Sequence, residues 1–210
     1  MWAFEKQALQ AGYRSVAGID EAGRGPLAGP VVSAAVILPL GFAVPGVNDS
    51  KKLTPRKRDL FFDLIMEQAL AVSTGIATVE EIETVNILQA SLLSMVRAVN
   101  ALSLEPDFLL IDGKFTIDSP VPQQAVIKGD AKSISIAAAS IIAKVTRDRI
   151  MRTLHDQYPQ YGFDRHKGYP TAMHKTAVMN FGPCPVHRKT FKGVKEFLHN
   201  GYVVQEHNKD

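Results

Sequence analysis

Hydrophobic and polar positions along this chain follow two periods, and the elements can be read from them. Short apolar runs of strand character lie at Val16–Ile19, at Val31–Leu38, which is rich in β-branched residues, and at Val72–Ala77. Phe108–Ile111, bounded by Pro106 and Gly113, is a continuous apolar run and reads as a buried strand; Ala125–Ile127 is a fifth. Over Glu80–Leu102 the period is helical, with Ile82, Val85, Leu88, Leu92, Met95, Val96 and Val99 on one stripe. Thr54-Pro55 has the form of an N-cap and first helical position, opening a helix to about Ala69. Ser133 to about Tyr158 is a long helix, apolar at first and charged later. Beyond Pro159 the chain turns basic, aromatic and Pro/Gly-punctuated, with short helices near Thr171–Phe181 and Lys192–Leu198. Early strands followed by helix–strand alternation predict an α/β fold with a mixed sheet. Residues 1–158 form its core and residues 159–210 a basic helical segment packed on it, one domain overall.

Length and composition fit that picture. A chain of 210 residues buries enough surface to need no disulfide or metal staple. Cys184 is the only cysteine, which excludes a disulfide framework and points to a reducing compartment. Met1–Gly12 is too polar for a signal peptide. Pro26–Asn48 is uncharged and long enough to cross a bilayer, but Pro26, Pro30, Pro39 and Pro45 break any helix there. A soluble protein is expected. The formal charge of +3 conceals a division: Lys144–His199 holds 11 Lys and Arg against 4 Asp and Glu, a net of +7, and the remainder is −4. A basic stretch of that kind suits a polyanion.

Two strand ends share one grammar. Val16–Ile19 runs into Asp20-Glu21 and then Gly23, and Phe108–Ile111 runs into Asp112 and then Gly113. Strand C-termini are where ligands bind in open α/β sheets, and parallel neighbours would bring Asp20 to Asp112. Asp130, in Lys128-Gly129-Asp130, adds a carboxylate just before the long helix. Taken singly, each acid has a plainer role as a turn former or helix cap. Taken together they repel, each close pair costing ~4 kcal/mol at an effective dielectric near 20. A divalent cation relieves this, and an all-oxygen set favours Mg²⁺ or Mn²⁺ over zinc. Such a cluster suits two-metal phosphoryl chemistry.

Gly23-Arg24-Gly25-Pro26-Leu27-Ala28 matches a dinucleotide fingerprint, yet Gly29-Pro30 and another strand follow where a helix is required. The turn still lets backbone groups approach a ribose or phosphate closely, with Arg24 available to a phosphate or to neighbouring acids.

The string Gly18-Ile19-Asp20-Glu21-Ala22-Gly23-Arg24-Gly25 resembles the signature of ribonuclease HII. Asn48-Asp49-Ser50-Lys51, Ile111-Asp112-Gly113, Lys128-Gly129-Asp130, the Ala138–Arg149 segment and His166-Lys167-Gly168-Tyr169 extend the resemblance from about Arg14 to Phe191. It implies the ribonuclease H fold, a mixed five-stranded sheet flanked by helices with a C-terminal helical segment. It also implies hydrolysis of the RNA strand of RNA–DNA hybrids and nicking of DNA 5′ to an embedded ribonucleotide, leaving 5′-phosphate and 3′-hydroxyl ends. Asp20, Glu21, Asp112 and Asp130 match the family's catalytic metal ligands for Mg²⁺ or Mn²⁺, two ions with substrate bound. Gly23, Arg24 and Gly25 match the turn that reads the ribose 2′-hydroxyl, and Tyr169 the tyrosine at the RNA–DNA junction.

Beside that carry-over, the basic segment is suited to gripping phosphates. Ser50 and Lys51 are candidates for a further phosphate contact or an ordinary helix-start cluster. Cys184, His187, His166 and His174 make too weak a zinc pattern, and the histidines are assigned to nucleic-acid contact or loops. Met66, Met95, Met151, Met173 and Met179 are assigned to packing. A cytoplasmic monomer is expected, with no membrane and no obligate protein partner. The alternatives are a non-catalytic hybrid-binding protein, another ribonuclease H-fold nuclease, or ribonuclease HIII, whose extra N-terminal domain is not expected before Val16.

Overall fold

A computed structural model describes residues 1–42 and 53–199 of the chain. Ser50 and Lys51 lie outside the described residues. A mixed five-stranded sheet forms the centre, with β1 (Val16–Ala22), β2 (Val31–Ile37), β3 (Ala71–Ala77), β4 (Phe108–Asp112) and β5 (Gln123–Val126) in the order β3-β2-β1-β4-β5. β1–β2 and β2–β3 are antiparallel, whereas β1–β4 and β4–β5 are parallel. Around it lie α1 (Ala3–Gln10), α2 (Pro55–Gln68), α3 (Val79–Asn100), α4 (Ile134–Gln157), α5 (Phe163–His166), α6 (Ala172–Phe181) and α7 (Lys195–His199).

The period-two pattern of the central strands divides two core layers. Ala34 and Val36 of β2 face α2 and α4, packing with Phe61, Ile65, Ile141 and Ile142. Ala35 and Ile37 face the other way, with Ala17, Ile19, Leu109 and Ile111, onto Met95 and Val99 of α3. Both helix layers press close to the sheet at glycines. A Cβ on Gly18 of β1 would stand 2.1 Å from the Ser135 carbonyl carbon at the start of α4, and one on Gly75 of β3 2.1 Å from the Ser94 oxygen of α3. The second contact is polar as well as tight, because buried Ser33 and Ser94 share a 2.6 Å hydroxyl–hydroxyl hydrogen bond.

The structure adds one element and corrects several expectations. α1 escapes prediction because tertiary contact rather than pattern makes it: its buried residues are only Glu5 and Ala8. Glu5 Oε1 accepts from the Ser133 hydroxyl (2.5 Å) and the Ser135 amide (3.0 Å), so an N-terminal carboxylate caps α4. The single stripe predicted over Glu80–Leu102 is broken at Asn86, which adopts φ 72° inside α3 and accepts through Oδ1 from the amides of Leu88 and Gln89. Two helical pieces meet there at a kink, and Val85 turns outward. Of the methionines assigned to packing, Met95 and Met151 are buried, but Met66, Met173 and Met179 are exposed.

The segment after Pro159 has a core of its own, built from Tyr161, Phe163, Ala177, Val178 and Cys184 against Ala28 and Met151. The histidines assigned to nucleic-acid contact or loops belong to it: His166, His174 and His187 are all buried. His174 Nδ1 lies 3.0 Å from the Tyr169 carbonyl and must donate to it. Its Nε2 therefore accepts from His187 Nε2 (3.0 Å), and His187 Nδ1 accepts from the Cys184 amide (3.0 Å). One chain of hydrogen bonds sets both tautomers, with both rings neutral. Burial lowers His174 to about 4 and His187 to about 3, and neighbouring histidines push the same way.

Two outcomes follow. Gly18→Ala forces α4 off β1 and is expected to cost ~3 kcal/mol in urea unfolding, because overpacking at a backbone contact has no side chain to yield. For the buried imidazoles, the unfolded state takes up protons that the native state refuses. Their contribution is complete above an unfolded pKa of about 6.5 and is lost as pH falls toward 3–4. Thermal unfolding between pH 7.5 and pH 4.5 should show midpoints falling with pH, and less steeply in His187→Gln.

Candidate active site

The parallel pairing of β1 with β4 places Ile19 opposite Ile111, and the next step in that register sets Asp20 beside Asp112. Asp130 comes to the same end of the sheet by a different route. It lies in a 3-10 turn, Gly129–Ala131, entered through Lys128 in the left-handed region (φ 57°). The Gly129 amide donates to Asp112 Oδ1 at 2.6 Å, tying the turn to β4. Glu21 follows Asp20 on β1, and its amide donates to Asp20 Oδ1 at 2.7 Å. The four acids predicted from sequence therefore share one end of the central strand pair.

This is an electrostatically costly arrangement. Asp20 is buried, and burial is the main cause that raises its pKa well above the ordinary value; the charges of Glu21 and Asp112 add to it. A hydrogen bond from Ser140 of α4 and the Glu21 amide oppose the shift. Glu21 is raised for the same first reason, with Arg24 pulling down and Asp112 pushing up. Among the described residues no group of three Asp, Glu, His or Cys side chains is arranged as a finished metal cage. The donor set nonetheless fits a hard divalent cation: it is all oxygen and anionic.

Beyond Glu21 the chain turns through Gly23 (φ 107°), where a Cβ would collide with the Arg147 side chain at 2.2 Å. Arg24 is exposed and reaches back to Glu21 Oε1 at 3.3 Å, linking the turn to the acids. Gly25 is open: its Cβ would meet only the Tyr169 ring, at 3.8 Å. Tyr169 is partly exposed, with Lys144 Nζ 5.7 Å from its ring centre. Its backbone is fixed, the amide donating to the His166 carbonyl (2.9 Å) and the carbonyl accepting from the Thr171 amide (2.8 Å) and His174. A groove of about 600 Å³ continues past this ring, lined by five Lys and Arg side chains, Lys144, Arg152, Arg165 and Lys167 among them, and by three Asp, of which Asp148 pairs with Lys144 at 2.7 Å. Gly23, Arg24, Gly25 and Tyr169 thus stand together next to the acids.

Sequence reading did not assign Ser140, Arg147 or Arg188. Ser140 was legible as the one hydroxyl between Ile136 and Ala143 in an otherwise apolar run. The two arginines gave no signal, because nothing local distinguishes a buried arginine from a surface one.

The family model described as Ribonuclease HII matches residues 17–194. The ribonuclease HII of Geobacter sulfurreducens is 58% identical over 198 residues, covering 94% of this chain and 91% of its own. Among solved structures, the ribonuclease H2 of Pyrococcus horikoshii OT3 is 29% identical with a TM-score of 0.74, covering 89% of this chain and 98% of its own. Bst-RNase HIII, solved in complex with Mn²⁺, has a TM-score of 0.69 at 21% identity and covers 93% of this chain and 72% of its own, a likeness of fold. A Gly-Arg-Gly turn beside strand-end acids on this sheet, matched across nearly the whole chain, makes it a member of the ribonuclease HII family, a type 2 ribonuclease H.

Proposed function

We propose that this protein is an endonuclease that hydrolyses the RNA strand of RNA–DNA hybrids and nicks DNA on the 5′ side of an embedded ribonucleotide, a step in removing ribonucleotides from DNA. The observation that carries the reading is the juxtaposition of Asp20 and Asp112 on parallel strands with the Gly23–Gly25 turn and Tyr169 alongside. Residues 1–158 carry the chemistry and residues 159–210 extend the binding face. A cytoplasmic monomer accounts for the activity.

Asp20, Glu21, Asp112 and Asp130 would hold Mg²⁺ or Mn²⁺, two ions when substrate is present. Bound there, such ions would supply activation of a water and neutralisation of charge on the leaving oxygen. Cleavage that leaves a 5′-phosphate and a 3′-hydroxyl breaks the P–O3′ bond, with the water oxygen retained on the phosphate. The chain's own part is positioning. Asp112 and Asp20 are oriented by the Gly129 and Glu21 amides, so they do not reorganise as the reaction proceeds. The Gly23-Arg24-Gly25 turn offers main-chain atoms to the 2′-hydroxyl, the group that separates RNA from DNA at one position. Tyr169 offers a ring face to the sugar at the junction. Lys144, Arg152, Arg165 and Lys167 line a path for a phosphate backbone, a contribution that weakens with salt. Ser50 and Lys51 are proposed as a further phosphate contact.

Asp112→Asn keeps the shape of the side chain and removes its charge. Its turnover on a duplex with one ribonucleotide should fall by about a hundredfold or more with the fold intact by circular dichroism. Turnover near wild type would remove Asp112 from the reaction. Without metal, Asp20→Asn relieves the crowding and should raise stability by ~1–2 kcal/mol, while abolishing the rise in melting temperature that Mn²⁺ gives the wild type.

A further inference from the structure

The buried guanidinium of Arg188 has no established part in the site, and its bonds all go to one place. Arg188 is fully buried, and among the described residues its hydrogen bonds all go to backbone carbonyls and none to a carboxylate. It donates to the carbonyls of Gly23 (2.5 Å), Arg24 (3.0 Å), Pro26 (2.8 Å) and Gly29 (2.8 and 3.0 Å). Phe191 lies against it, 5.0 Å from ring centre to guanidinium. The same loop is strapped from the same side by backbone: Arg188 N–H to the Leu27 carbonyl and Gly29 N–H to the Val186 carbonyl, each 2.8 Å. Arg147, also fully buried, holds the far end through the carbonyls of Ala28 and Pro30.

Burying a guanidinium without an anion is expensive, and an apolar residue of similar volume fills a core at lower cost. What an apolar residue cannot do is turn carbonyls. In a trans peptide the C=O and the following N–H point in opposite directions. With the Gly23 and Arg24 carbonyls drawn inward onto Arg188, the amides of Arg24 and Gly25 are aimed outward, on the open side of the turn next to Tyr169. Two consecutive outward amides are a ready pair of donors to an electronegative oxygen.

We propose that Arg188 is the positioning residue for ribose selection: it holds the Gly23–Gly25 turn with its amides presented to the 2′-hydroxyl, so that discrimination between ribose and deoxyribose depends on a side chain that never touches the substrate. This rests on the ribose-reading role given to the turn above. It also gives residues 159–210 a second task, since Arg188 comes from the segment otherwise assigned to phosphate gripping.

The test compares Arg188→Lys with wild type for binding, in EDTA, to a DNA duplex containing one ribonucleotide and to the same duplex in DNA alone, and for kcat/KM on the first. Lysine keeps the charge, but its compact ammonium cannot span carbonyls spread from Gly23 to Gly29. The preference for the ribonucleotide duplex and kcat/KM should each fall about tenfold, while affinity for the all-DNA duplex stays within about twofold, because the phosphate contacts are untouched. An equal loss on both duplexes, or no loss, overturns the assignment. Gly25→Ala separates the two layers of the reading, since its methyl enters only the open face of the turn. If Gly25→Ala lowers the preference and Arg188→Lys does not, Arg188 is wrongly assigned. If wild type shows no preference, or Gly25→Ala leaves it unchanged, the ribose reading and the Arg188 proposal fall together. Should Arg188→Lys not fold, Phe191→Leu loosens the guanidinium while keeping it, and must lower the same preference by about threefold; an unchanged preference there also overturns the proposal.

Discussion

Asp20 and Asp112 are held side by side against their own repulsion, and much of the described structure serves to keep them there. Two strands separated by some ninety positions must pair in parallel and in one register, since a slip of one residue would turn the acids to opposite faces. The pairing is enforced from both sides of the sheet. Above β1, Gly18 admits the start of α4 into backbone contact, and α4 brings Ser140 to Asp20. The Gly129 amide fixes Asp112, and the same turn carries Asp130. Below, the Ser33–Ser94 bond and the glycine contact at Gly75 seat α3. Rigidity here substitutes for attraction. Asp20 and Asp112 are oriented by backbone amides and a hydroxyl, groups that fix direction without carrying charge.

The molecule spends its buried polar groups on backbone rather than on ion pairs. Glu5, Arg147, Arg188, His174 and His187 are buried, and the bonds each makes include backbone atoms at a turn or a helix end. Each stands where a loop would otherwise be free to choose its path: the start of α4, the segment from Gly23 to Pro30, and the approach to Tyr169. A buried group satisfied by carbonyls or amides specifies conformation with little gain in stability.

Legibility in the sequence follows the same line. The strands themselves were within reach because β-branched runs are local signals, and the acids of Val16–Glu21 and Phe108–Asp112 announced themselves by sharing a pattern; the order of the strands in the sheet was not. The Gly-Arg-Gly turn and Tyr169 were reached through a resemblance to a known family, not through periodicity. Contacts between distant segments left no local mark: Glu5 on the cap of α4, Arg188 on the Gly23 turn, and the histidines that pass for surface residues in a basic stretch. Asn86 shows the opposite failure, where a continuous apolar period concealed a break supplied by one side chain bonding to its own backbone.

The reach of Arg188 has a consequence in time. Its bonds to Gly23 and Arg24 span more than 160 positions, among the longest loops the chain can close. On the ribosome, β1, β4 and the turn carrying Asp130 are all synthesised before it. A nascent chain paused after α4 already has every acid of the proposed hydrolytic centre, but the Gly23–Gly25 turn has nothing behind it. On the proposed reading, the acids are in hand early in synthesis, and the turn beside them is fixed only when Arg188 arrives.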